Sequence, residues 1–583
     1  MTSPISERDQ PLEDPSPGRA PSARGRQPPA RAAGLRAGAL NLAHEAVGRH
    51  ARGARRHHLA LLWESAKGEI ERYDFAALAR HAGRFAGGLA RLGVARGERV
   101  FFLCERIPEL YFAALGALAH GAVIAPLFSS AGPEAIRERL GRVGGSLLVT
   151  TPSLLGRLAG VREQLPTLRH VIVVGHREPL GAPDAWLDYR ELVDGAPEDL
   201  PGDRTSADDG AVLHFTSGST GRPKGALLTH AAALGHEATG RHVLGLRDDD
   251  VFWCTADPGW VTGTSFGMFV PWLQGVTNLV FQGGFGADRW YELLERHRVT
   301  VWYTAPTALR LLARAGTDLA RRRDLSALRH ATCSGEPLDP ATLRWAEDAV
   351  GVPVHDQYWQ SETGTTVIAN VPGLAIRPGS MGRPVPGVEA AILGRDGVEI
   401  REPMREGSLA LRAGFAGQFA GYWGDERATR ERFRDGWYWT GDRARRDADG
   451  YFWFVRREDD VINTAGHLVG PFEVERALLE HPAVAEAAVI GKPHPVALEV
   501  VKAFVTLRAG HAPCEALRRE LLGHARRALG AGIAPREIEF ALSLPRTRSG
   551  KLLRRVLRAR ELGLPEGDVS TLDDEPGPEP ARA

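Results

Sequence analysis

Residues 216–225 read Thr-Ser-Gly-Ser-Thr-Gly-Arg-Pro-Lys-Gly. Gly218, Gly221 and Gly225 free the backbone where ordinary residues would strain. Thr216, Ser217, Ser219 and Thr220 offer hydroxyls, and Lys224 adds a positive charge. Backbone amides, hydroxyls and one ammonium together make a phosphate cradle. The spacing is not GxxxxGK[ST], so this is not a Walker A loop. The plain alternative is a flexible polar loop. A second concentration of charge surrounds Lys551, in a Gly-containing turn flanked by Arg546, Arg548, Arg554 and Arg555.

These residues need elements to hold them. The cradle follows the apolar run Val212–Phe215, which reads as a strand. From about 38 to 455, helical periods such as Phe75 to Leu92 alternate with short apolar runs such as Val100–Leu103, Leu147–Thr150 and His170–Val174. That alternation predicts α/β layers around a largely parallel sheet. Near 440–460 the chain reads as Gly-, Asp- and Arg-rich turns. A smaller α+β unit follows, with strands expected up to Ile490 and over Val500–Leu507, and a helix over Cys514–Leu529. The predicted organisation is a tail over 1–35, a large N-terminal domain of layered sheets and helices over 38–457, a small C-terminal domain over 458–565, and an acidic tail over 566–583. Residues 1–35 are rich in Pro, Arg, Ser and Ala and have too few large apolar residues to offset ordering entropy, so disorder is expected there.

Composition narrows the partners. Of 583 residues, 43% are hydrophobic and 25% charged, ordinary for a soluble globular protein. The formal net charge of +1 gives no reason to expect nucleic acid or an anionic membrane. The stretch from Tyr111 to Phe128 is apolar but holds Gly116, His120, Gly121 and Pro126, so it reads as helix then strand, not a membrane span. Cys104, Cys254, Cys333 and Cys514 form no CxxC pair, which suggests neither zinc nor a disulfide framework. No apolar signal region follows the N-terminal charges, so a cytoplasmic location is expected.

The loop at 216–225 resembles the signature of the adenylate-forming superfamily, which includes acyl-CoA synthetases, luciferases and peptide-synthetase adenylation domains. The resemblance continues in order through Ser334-Gly-Glu-Pro337, Asp356-Gln-Tyr-Trp-Gln-Ser-Glu-Thr-Gly364, Tyr438-Trp-Thr-Gly-Asp442, Arg457-Glu-Asp-Asp460 and Pro545-Arg-Thr-Arg-Ser-Gly-Lys551. Within the superfamily the chain is most similar to the acetyl-CoA synthetases, through Trp253-Cys-Thr-Ala-Asp-Pro-Gly-Trp-Val-Thr-Gly263 and Gly470-Pro-Phe-Glu-Val-Glu475. The resemblance implies ATP, Mg²⁺ and coenzyme A as cosubstrates and cofactor. A carboxylate attacks the α-phosphate of ATP, and the CoA thiol then attacks the acyl-adenylate. Positioning and cations matter more here than a protein nucleophile.

The same resemblance implies residue roles. Glu362 is the expected Mg²⁺ contact, since magnesium takes hard oxygen from one or two carboxylates plus phosphates. Thr363 matches a phosphate-contacting position, with Gln360 and Ser361 in the same block. Asp442 is expected to accept the ribose hydroxyls. Gly335, Glu336, Pro337, Asp356, Gln357 and Tyr358 match the adenine pocket, with Tyr358 placed to stack on the base. Arg457 resembles an arginine reaching ribose and phosphates. Lys551 is expected to enter the site from a mobile small domain and stabilise charge during adenylation. Asp459 resembles the hinge. Thr262, Ala465 and Gly466 match positions along the CoA path. A lysine acetyltransferase and deacetylase acting on Lys551 would switch its charge off and on.

Trp359 matches the residue that closes the acyl pocket in acetyl-CoA synthetases, with Val261 and Thr262 beside it. Acetate is therefore the expected acid, although one methylene is worth only ~1–3 kcal/mol in such a sieve. Ordinary core packing is the plain alternative for this tryptophan. Arg456, Leu468 and His494-Pro-Val-Ala-Leu-Glu499 depart from the family pattern, all in the region expected to rebuild the site for the thiol. Two other readings stay open: a divergent member that binds nucleotide or acyl-adenylate without completing the reaction, and a ligase for propionate or another short acid.

Overall fold

Short runs of buried Val, Ile, Leu and Phe become parallel strands because both their faces are covered. The computed structural model describes residues 38–175, 186–202, 205–217, 223–458, 462–464, 467–494, 498–529, 534–547, 552–566, 569 and 572. The tail expected over 1–35 lies outside the described residues, as does the tail expected over 566–583 apart from Glu566, Val569 and Leu572. So do Gly218, Ser219, Thr220 and Gly221, Asp459, Ala465 and Gly466, and Lys551.

The chain forms a large N-terminal domain and a smaller C-terminal one. Two big sheets dominate the first. An eight-stranded sheet runs in the order Gly421–Tyr422, Pro223–Thr229, Gly210–Ser217, Val123–Pro126, Arg99–Leu103, Leu147–Thr150, His170–Val173 and Trp186–Asp188. A nine-stranded sheet has Val354–Tyr358, His330–Ser334, Val301–Thr304, Val251–Cys254, Thr277–Phe281 and Leu59–Glu64 as a parallel centre. Helices Phe75–Arg91 and Pro108–His120 share one core with both sheets, including Leu61, Val280, Phe102, Ile124 and Val212. Gly116 lets these helices touch: a Cβ there would stand 2.4 Å from the Ala82 carbonyl oxygen.

A third, antiparallel sheet holds Ala390–Leu393, Gly407–Arg412, Trp437–Arg446, Phe433–Arg434 and Phe452–Arg457. Here the structure differs from the turns expected at 440–460. Along Trp437–Arg446 buried and half-buried residues alternate from Trp437 to Ala444, the period of a strand. The polar composition hides it, because arginines occupy outward positions and Asp442 points inward.

The smaller domain has its own core, with Val474, Leu478, Val489, Val501, Val505 and Leu521 among its members. Its five strands include the hairpin Val484–His494 and Leu498–Leu507, flanked by helices Pro471–Leu479 and Glu515–Leu529. No helix among the described residues is long and apolar enough to cross a membrane.

Candidate active site

The strand ends and loops of these sheets bring most of the expected residues together. Strands Gly210–Ser217 and Pro223–Thr229 pair antiparallel, with Thr216 opposite Lys224 and Ser217 opposite Pro223 as the last partners. Thr216, Ser217 and Lys224 of the candidate phosphate loop thus lie at the end of an antiparallel strand pair. Lys224 places its ammonium 5.2 Å from the ring centre of Tyr422, close enough for a cation–π contact. The Tyr422 hydroxyl donates to Glu362 at 2.7 Å. Burial and the Glu362 carboxylate hold that phenol well above its ordinary range. Arg432 lies in the field of the same group. Lys224 and Glu362, 138 positions apart in sequence by their numbering, therefore share one cluster.

Glu362 and Ser361 are half-buried. Among the described residues no group of three or more His, Cys, Asp or Glu side chains could cage a metal. A divalent ion would therefore lean on Glu362 and on oxygens of a substrate. One carboxylate plus phosphates is the donor set Mg²⁺ accepts, so the residues present fit it.

Asp442 sits opposite Arg457 across the hairpin, and the Arg457 Nε lies 3.9 Å from Oδ1. Its Oδ2 accepts from the Tyr358 hydroxyl at 2.5 Å and from Gln360 Nε2 at 2.8 Å. Gln360 is fixed in turn by the Tyr438 hydroxyl at 2.8 Å. A buried carboxylate held this way has a set orientation, and Tyr358 is pinned by its hydroxyl.

Asp356 is fully enclosed, and burial pushes its carboxyl up to about 8 against the pull of the Gln357 and Leu338 amides. At neutral pH it is mostly protonated and can donate a hydrogen bond. Gln357 faces the other side of the strand. Its amide donates to Thr332 at 2.7 Å and accepts from Thr366 at 2.8 Å. Thr363 is likewise closed off at 0% exposure, its hydroxyl within 3.0 Å of the Gln360 and Thr365 carbonyls. These two side chains differ from expectation: their hydrogen bonds are spent on bracing the surrounding strands and loop.

Gly335 takes φ +97, and a Cβ there would stand 2.7 Å from the Trp260 ring. Pro337 is exposed beside it. Glu336 also sits differently from an adenine contact. Its carboxylate accepts from Thr307 at 2.5 Å, pairs with Arg310, and lies 3.8 Å from Arg546 of the smaller domain.

Trp359 is 9% exposed and belongs to an apolar cluster with Val261, Phe266, Tyr303 and Cys254. Its indole N–H lies 3.1 Å from both the Tyr303 hydroxyl and Ser334 Oγ. Phe266 meets its face edge-on at 5.1 Å between ring centres. Thr262 is buried next to Val261 on the short helix Val261–Thr264. Arg456, a departure in sequence, is an internal ion pair to Glu406 at 2.7 Å. The side chain of Leu468 and residues 495–497 lie outside what is described.

The model of the AMP-binding enzyme family matches residues 48–423, and that of the AMP-binding enzyme C-terminal domain matches 473–551. The acetyl-coenzyme A synthetase of Bacillus subtilis is 46% identical over 539 residues, covering 92% of this chain and 93% of the relative. The chain belongs to the acetyl-coenzyme A synthetase family of AMP-binding enzymes. The Gemmatimonas aurantiaca member is 35% identical over 94% of this chain and 88% of its own length. The crystal structure of the anthranilate CoA ligase AuaEII in complex with anthranoyl-AMP superposes with a TM-score of 0.82, at 30% identity, over 90% of this chain and 98% of that one. Tyr303, Tyr422 and Arg432 lie outside every motif, because only the sheet order brings them to the motif residues, and Ser334 and Tyr438 stand in motifs that assign them no role.

Proposed function

We propose that this chain ligates acetate to coenzyme A with ATP, releasing AMP and pyrophosphate. It is an acid–thiol ligase acting through an acyl-adenylate. One carboxylate oxygen attacks the α-phosphorus and pyrophosphate leaves. The CoA sulfur then attacks the acyl carbon, and AMP leaves with the bridging oxygen. Lys224, Thr216, Ser217 and the loop between them hold phosphate oxygens. Asp442, oriented by Gln360 and Tyr358, takes the ribose hydroxyls, and Arg457 adds charge beside it. The protonated Asp356 lies under the base. Glu362 would hold Mg²⁺, which when bound would neutralise phosphate charge. Thr363 and Gln357 act as positioning residues.

The observation that carries acetate is Trp359. Its indole is hydrogen-bonded, packed on Phe266 and three residues from Glu362, so it forms a rigid end to the acyl pocket. Lys551 supplies charge at the reacting carboxylate, and its acetylation would stop adenylation. The free cysteines suit work in the cytoplasm. Nothing favours the reading as a member that binds nucleotide without chemistry. The test is to supply ATP, Mg²⁺ and acids of increasing chain length, with and without CoA, and to measure AMP and thioester. Acetate should be preferred, with propionate next. No AMP with any acid would refute the proposal.

A further inference from the structure

Between the two domains lies a cluster of charged side chains that the chemistry above does not use. Helix Pro306–Ala315 carries Arg310 and Arg314 one turn apart. Arg310 pairs with Glu336 and lies 3.7 Å from Asp339, which also caps helix Pro340–Val350. Burial opposes the Arg310 charge, but Glu336, Asp339 and Glu486 outweigh it. Glu486 belongs to the smaller domain. It stands opposite Thr506 in the hairpin there, and Arg314 reaches both, at 3.3 and 3.4 Å. Arg546, also of the smaller domain, completes the set. It lies 3.8 Å from Glu336 and from Glu486, and donates to Thr307 at 3.3 Å. Glu336, Glu486, Arg310 and Arg546 are all largely buried, at 13–17% side-chain exposure.

Arg546 also stands in an isolated antiparallel bridge. It bridges Leu552, and the Leu553 N–H donates to the Pro545 carbonyl at 2.9 Å. The chain between Arg546 and Leu552 ends in Lys551. Anchoring Arg546 to the large domain therefore anchors the base of the loop that carries this lysine. Each of its carboxylate partners is shared with an arginine of the large domain, so the cluster has no spare charge while the domains stay together. Separating them would take Arg314 from Glu486 and Glu336 from Arg546, and partly buried charges resist losing such partners.

We infer that Glu336, Arg310, Arg314, Glu486 and Arg546 form an ionic latch that positions the Lys551 loop for adenylate formation and opens for the thioester step. Glu486, Arg314 and Arg546 are positioning residues and touch no substrate. The inference rests on the functional reading above, so the two half-reactions must be measured separately. Adenylation is read as acetate-dependent exchange of pyrophosphate into ATP. Thioester formation is read as acetyl-CoA made from supplied acetyl-adenylate and CoA.

Glu486→Gln is expected to slow exchange by about 3- to 10-fold, the scale of one partly exposed charged contact, and to leave thioester formation within about two-fold. Arg314→Gln, which removes the same contact from the large-domain side, should slow exchange in the same sense, and Arg314→Gln with Glu486→Gln should be no slower than Glu486→Gln alone, which general loss of structure would not produce. Amide exchange at Leu553 in the free protein should quicken in Glu486→Gln. Equal loss in both half-reactions, no loss in either, or unchanged Leu553 protection would overturn the latch. An unaltered chain that performs neither half-reaction would refute the functional reading instead, and Leu553 protection would then still decide the latch.

Discussion

Trp359 combines two properties that pull in different directions. It is a core residue by burial, and the proposed function makes it the residue that closes the acyl pocket. Trp359→Gly should shift preference toward longer acids, because each added methylene can be worth ~1–3 kcal/mol in the space released. It should also lower thermal stability, since emptying a buried tryptophan site costs about 3–5 kcal/mol. Relative kcat/KM over a chain-length series checks the first, and an unchanged profile would sink the assignment. Lys551→Ala should cut acetate-dependent pyrophosphate exchange by about 10²–10³ while ATP still binds. Exchange near the unaltered rate would refute its role. Type and spacing single out Glu362, Asp442 and Trp359 in the sequence, and each lies in a hydrogen-bonded or packed cluster with other motif residues or their neighbours. Residues were less legible where a motif position is spent on bracing. Gln357 and Thr363 lie inside the densest motif, yet hydrogen bonds to Thr332, Thr366 and loop carbonyls absorb their side chains.

The hairpin Trp437–Arg446 with Phe452–Arg457 shows what an element adds. Its register sets Asp442 opposite Arg457, and the buried face turns Tyr438 and Asp442 toward Gln360. Composition alone reads this stretch as turns, since arginine and glycine mask a period of two. Helices and buried strands elsewhere were legible because their pattern is apolar: Phe75–Arg91, Leu147–Thr150 and Glu515–Leu529 fall within about a residue or two of expectation. Gln360→Ala removes the link from this hairpin to the motif loop. A hydrogen bond to a charged group is worth about 1.5–3 kcal/mol, so KM for ATP should rise roughly 10-fold or more with thermal stability little changed. Unaltered ATP dependence would show that Asp442 needs no such orientation. The same link reaches helix Ala232–His242, where His236 lies 2.8 Å from the Gly364 carbonyl.

At the scale of the whole molecule, α/β layers with parallel strands at their centre and a separate small domain follow from the alternation of helices and apolar runs; the division of those strands between two mixed sheets does not. The antiparallel third sheet and the charged contacts between domains did not, because both depend on pairings distant in sequence. Burial also sets the pH response. His214, His230 and His330 are pushed down to about 3, and His236 to about 4, chiefly by burial. Unfolded histidine takes its proton near pH 6.5, whereas these rings stay neutral until far lower. Folding stability is therefore full above 6.5 and lost as pH falls toward 4, at up to ~1.4 kcal/mol per unit for each ring. Urea midpoints that stay flat from pH 7 to 5 would contradict this. Asp356 acts in the opposite sense, since its raised value favours the folded state at low pH and that gain fades as pH rises toward 8. The most direct test of the whole reading follows one atom. With acetate labelled by ¹⁸O in both carboxylate positions, ATP and CoA, the AMP released should carry one labelled oxygen, since the attacking carboxylate oxygen stays on phosphorus when the thiol takes the acyl group. Unlabelled AMP, or ADP as the product, would contradict an acyl-adenylate mechanism.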